Sequence, residues 1–110
     1  MIKLKNTAST AESPAIALIA AERKRQITEE GFSVESDTFI NNRGELARAA
    51  ACYALPKTLE WIKTCAEIFD KIWPWDIGWW KPSEDRKRDI IKACALLVAE
   101  YDRISVIEAK

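Results

Sequence analysis

The sequence predicts an all-α protein: a compact bundle of about four helices, with a tryptophan-rich irregular loop before the last of them. Three observations lead there. Apolar residues recur at spacings of three and four in four separate segments, each bounded by capping residues, glycine or proline. No segment alternates as a half-buried strand would, and no stretch repeats another. A chain of 110 residues, 48% hydrophobic and 31% charged, is the size and composition of one folded domain.

Residues 1–12 are polar and rich in Thr, Ser and Lys, which predicts a flexible arm ahead of a single helical domain over 13–110. Ser13 and Pro14 suit a helix start, where the missing proline N–H is no loss, and Gly31 suits its end near Glu30. The apolar stripe of this first helix is Ile16, Ile19, Ala20 and Ile27, with Arg23 at the position that would complete it. A guanidinium aimed inward needs a carboxylate or a ligand, and Glu45 or Glu100 is the expected carboxylate.

Phe32 to Asn41 shows no periodicity and reads as an ordered loop anchored by Phe32, Val34 and Phe39. Asn42, followed by Glu45, resembles a capping box opening a second helix, whose alanine-rich run Leu46–Ala54 allows close helix approach. Pro56 is the expected start of a third helix, carrying Leu59, Ile62, Cys65, Ala66, Phe69 and Ile72 inward until Pro74 stops it. After the loop Pro74–Pro82, Ser83 is the expected cap of a fourth. Its stripe is Ile90, Ile91, Cys94, Leu97, Val98, Tyr101 and Ile104. A compact bundle and an intertwined helical dimer both satisfy this pattern.

Lysine plus arginine and aspartate plus glutamate balance at 17 each, so global charge does not point to nucleic acid or an anionic membrane, and any anion site must be local. The apolar run from Pro14 to Ala21 is too short to span a bilayer, and no cleavage site follows a signal-like core, which predicts a cytoplasmic protein. Cys52, Cys65 and Cys94 lack CxxC spacing and read as buried free thiols; no cofactor or metal pattern is present. Histidine is absent, which removes the commonest general base and the catalytic triad.

Two features carry possible chemistry. Trp73, Trp75, Trp79 and Trp80 fall within eight residues, stiffened by Pro74 and Pro82 and broken by Gly78. Indoles displayed there either seal the core as a lid or offer flat faces to a planar ligand or a partner protein. Next to them Arg86, Lys87, Arg88 and Lys92 sit at a helix start, where unpaired N–H groups favour anions, although Glu84, Asp85 and Asp89 offset the run. Together these predict a site of Arg23, Gln26, Trp75, Trp79, Trp80, Lys81, Arg88 and Lys92 for a nucleotide-like anion, bound and not turned over. Two alternatives are a protein-interaction patch and a Mg²⁺-dependent pyrophosphohydrolase of the MazG type. For the second, the chain offers one ExxD, Glu67 to Asp70, and no ExxE.

The blocks Glu22-Arg23-Lys24-Arg25-Gln26 with Glu30-Gly31-Phe32, Gly44 to Ala54, Trp73-Pro74-Trp75-Asp76 with Trp79-Trp80-Lys81-Pro82, and Arg86 to Arg88 with Lys92-Ala93 and Ala99-Glu100 resemble, in order and spacing, a small phage and prophage family. Phe32 departs from it, where tryptophan is usual. The resemblance implies a phage origin and thus a host-cell location, and carries no activity with it. By analogy with small helical phage proteins that sequester host signalling nucleotides, it predicts a counter-defence role, as a homo-oligomer, with the nucleotide or a host defence protein as partner.

Overall fold

The computed structural model describes residues 13–109; the arm expected over 1–12 lies outside them. The described chain is all-α, with helices α1 (Pro14–Glu30), α2 (Val34–Phe39), α3 (Glu45–Ala54), α4 (Ile62–Ile72) and α5 (Arg86–Glu108), and one 3₁₀ turn at Ile77–Trp79. They form a bundle around α5, which packs against α3, α1 and α2, while α4 leans on α3 alone.

The core is the α3–α5 seam. Leu46, Ala49, Ala50 and Tyr53 meet Ala93, Leu96 and Ala99, and the alanines let the two backbones approach. Phe32, Trp73, Trp75 and Trp80 close over it. Ring-to-ring contacts of 4.6 Å from Tyr53 to Trp80 and 4.7 Å from Phe69 to Trp80 make the loop's inner half part of that core. No described helix is long and apolar enough to cross a membrane.

Several local expectations are corrected. Phe32–Asn41 contains α2: the Ser33 hydroxyl accepts the Ser36 N–H at 3.2 Å as its cap. Its buried residues are Asp37 and Asn41, whereas Phe39 is 82% exposed. The third expected helix starts at Ile62 and not at Pro56: residues 56–58 are irregular and 59–61 form a turn in which the Trp61 N–H donates to the Thr58 carbonyl at 3.1 Å, while Lys57 reaches across to the Ser83 carbonyl (3.2 Å) and the Asp89 carboxylate (2.9 Å). Gly44, at φ +83°, precedes α3 in place of Asn42, and Glu45 reaches back to the N–H of Arg43. Asp85 caps α5 by accepting the Lys87 N–H at 3.0 Å, while Ser83 turns the chain two residues earlier by accepting the Asp85 N–H. Gly31 ends α1 as expected, at φ +75°.

The apolar stripes are also displaced. Along α1 the buried residues are Glu22, Arg23 and Gln26, with Ile16 and Ile27 exposed. The α4 face has no fully buried residue. Of the α5 stripe only Ile91 is buried.

Arg86 has a structural task that its place in a basic run concealed. Its guanidinium donates to the carbonyls of Tyr53 (3.1 Å), Ala54 (2.5 Å) and Leu55 (2.8 Å), closing the C-terminus of α3. Arg86→Ala is expected to cost about 1–3 kcal/mol, the range for charge-assisted hydrogen bonds to otherwise orphaned carbonyls, read as a lower urea midpoint.

Candidate functional site

The C-terminal half of α1 faces the first turns of α5 across an open cleft of about 300 Å³, with the tryptophan loop as its third wall. Gly31 turns the chain so that Phe32 meets Trp75, ring centroids 5.3 Å apart, and this pair closes one end. The Trp75 indole N–H donates to the Asn41 side-chain oxygen at 3.2 Å, and the Asn41 amide donates to Asp37 at 2.9 Å. Trp75 is thus a fixed wall. Trp79, on the 3₁₀ turn, leaves 47% of its surface open, with the Lys81 ammonium 5.5 Å from its ring centroid.

The floor is Tyr53. Its hydroxyl accepts the Lys81 N–H at 3.1 Å, and burial pushes its pKa up. Lys92 stands over this ring, 5.4 Å from ring centroid to Nζ, and donates to the Lys81 carbonyl at 2.6 Å. Burial first, and the neighbouring Arg88 second, push the Lys92 pKa down. No carboxylate among the described residues forms an ion pair with Lys92 or Lys81.

Glu22 organises the opposite wall. Its buried carboxylate accepts Arg25 in a two-pronged contact at 2.9 and 2.8 Å, pairs with Arg88 at 2.5 Å, and accepts the Gln26 amide at 3.3 Å. Burial opposes its ionisation, yet the hydrogen bonds from Arg25 and Arg88 prevail and hold its pKa below the ordinary 4.5. Its stabilising contribution is therefore present above that value and is lost as pH falls through the depressed one. Asp37 has the opposite sign: burial lifts its pKa above 3.8, so acid relieves it. Glu22→Gln is expected to flatten the acid limb of stability below about pH 4.5, measured by urea midpoints at stepped pH.

Six of the residues the sequence singled out line this cleft: Gln26, Trp75, Trp79, Lys81, Arg88 and Lys92. Two do not. Trp80 packs into the core against Tyr53, Phe69 and Trp73. Arg23 points behind the cleft and donates to the Phe32 carbonyl at 2.7 Å. No carboxylate among the described residues forms an ion pair with Arg23, whose charge acts at longer range on Asp37, from the segment read as loop. Of the two expected partners, Glu100 binds Arg103 at 2.7 Å, and Glu45 turns back to its own helix start. The anion site expected at the helix N-terminus is also corrected, because the Asp85 and Asp89 carboxylates already accept backbone N–H groups there.

Sequence reasoning missed Glu22, Arg25, Glu30, Phe32 and Tyr53 as lining residues. Helical spacing was the available signal for the first three: Glu22, Gln26 and Glu29 or Glu30 share one side of α1 with Arg25 next to them. For Tyr53 no local signal existed, since its role comes from contacts 28 residues away.

Gln26 is 3% exposed and its side-chain oxygen has no hydrogen-bond partner among the described residues. An orphaned acceptor in a cleft wall is a place for a ligand donor. Glu67 and Asp70 are exposed on α4, and among the described residues no three carboxylate or thiol groups gather as a metal site requires. The three thiols are free, Cys52 buried and the others half-buried, with burial pushing the Cys52 thiol up to about 11. Compared with known protein families, curated proteins and solved structures, the chain has no match, so geometry alone speaks for the site.

Proposed function

We propose that the cleft holds a nucleotide-like anionic small molecule without turning it over. The observation that carries this reading is Lys92, a half-buried ammonium with no ion-pair carboxylate among the described residues, standing with Lys81 and Arg88 in a cleft whose rim is an open indole. A fold gains nothing from burying such a charge, so an anion that offsets its desolvation accounts for its retention. The base lies on Trp79 against the Trp75–Phe32 wall, the phosphates meet Lys81, Lys92 and the outer edge of Arg88, and the Gln26 oxygen accepts from an amino or hydroxyl group. Trp80 and Arg23 serve as supports behind these groups. The volume is at the low end of small-molecule sites, the size for one nucleotide unit.

Binding without turnover suits the groups present. The cleft has no histidine, its best-placed carboxylate is saturated by two arginines, and its tyrosine hydroxyl is raised in pKa and already engaged. With the resemblance to the phage family, the reading extends to a counter-defence protein that sequesters a host immune nucleotide. Tryptophan fluorescence titrated with mononucleotides, cyclic dinucleotides and ADP-ribose derivatives should show saturable quenching, and chromatography should return the ligand intact. A flat response from folded protein across the panel would overturn the reading and leave Ile77 and Trp79, both exposed at the rim, as a protein contact.

A further inference from the structure

The outward side of α5 carries a row that the described residues leave uncovered. Ile90, Cys94, Leu97, Tyr101 and Ile104 follow one another at spacings of four, three, four and three, the repeat of a helix seam that packs against another helix. Ile90 is 41%, Leu97 51%, Tyr101 73% and Ile104 39% exposed, and Cys94 is half-buried. Val98 widens the strip. An apolar seam of this length along a 23-residue helix is costly in water.

We propose that this seam is the interface with a second copy of the chain, the two α5 helices lying antiparallel about a two-fold axis near Leu97. Charge selects that occupant and that direction. The same spacing continues to Lys87 at one end and Glu108 at the other, both exposed. An antiparallel pair sets Lys87 of each copy near Glu108 of the other, whereas a parallel pair stacks like charges at both ends. The seam also leaves the cleft free. Lys92 sits two residues from Ile90, roughly 160° away around the helix, so pairing through Ile90 and Leu97 does not cover it.

Sedimentation equilibrium of the full chain should therefore show a dimer. Leu97→Glu should raise its dissociation constant roughly 30-fold or more, the effect of losing a central contact, with helical circular dichroism unchanged because the side chain is half in solvent already. Glu108→Lys should weaken the dimer, and the double variant Lys87→Glu with Glu108→Lys should restore it. A wild-type monomer at high micromolar concentration overturns the proposal, whether residues 1–12 or a different protein covers the seam. So does an oligomer that Leu97→Glu leaves intact. Indifference to Glu108→Lys overturns the antiparallel arrangement.

Discussion

Lys92→Met is expected to weaken the cleft's affinity for phosphate-bearing nucleotides by one to two orders of magnitude while leaving the protein as stable as before, or more so. The two halves of that result have one cause. Lys92 is held half-buried against the Tyr53 ring, with burial and Arg88 both disfavouring its charge. Its folded-state pKa is therefore depressed, so the ammonium is a burden to the native state at neutral pH. Methionine keeps the stem that covers Tyr53 and removes the burden, at the loss of one hydrogen bond to the Lys81 carbonyl. A charge-assisted contact to phosphate is worth about 1.5–3 kcal/mol, so binding should weaken by roughly 10- to 150-fold. Fluorescence titration beside a urea melt of the same variant reads both. Equal loss of affinity and stability would show that Lys92 is structural, and unchanged affinity would remove the phosphate from its place in the cleft.

Leu46→Ala is the largest stability loss expected from one substitution. Leu46 is fully buried and is the largest apolar side chain to be so, in a core where most of its neighbours are alanines. Alanine-on-alanine helix contacts are already close, so the α3 and α5 backbones have little room to collapse into the space left behind. The cost falls in the upper part of the usual range, about 3–5 kcal/mol, which is a large fraction of the stability of a domain this size. The measurement is the chemical denaturation midpoint; a shift worth less than about 1.5 kcal/mol would mean that the core relaxes.

The sequence alone was sufficient for the helical class, because period, caps and breakers are local properties written within a few residues of one another. Gly31 after Glu30, the alanine run of α3 and Pro74 after α4 act through their own backbone, and they act where expected. It also sufficed to bring Gln26, Trp75, Trp79, Lys81, Arg88 and Lys92 under suspicion, since side-chain chemistry is readable without coordinates. Tertiary structure decided what local pattern has no access to. Lys57, just after Pro56, is tied to a partner 32 residues away, and Arg86 leaves its basic neighbours to close another helix. Along α1 and α5 periodicity located an apolar stripe but not its direction: α1 turns Glu22 and Gln26 inward, and α5 keeps Leu97 and Tyr101 outside. The same is true of the tryptophans, which are alike in sequence. Tyr53 and Phe69 draw Trp80 into the core, whereas Trp79, carried outward on the 3₁₀ turn, keeps an open face beside Lys81. A helical period specifies which side chains share a face, and only the neighbouring elements determine whether that face meets core, ligand or another copy.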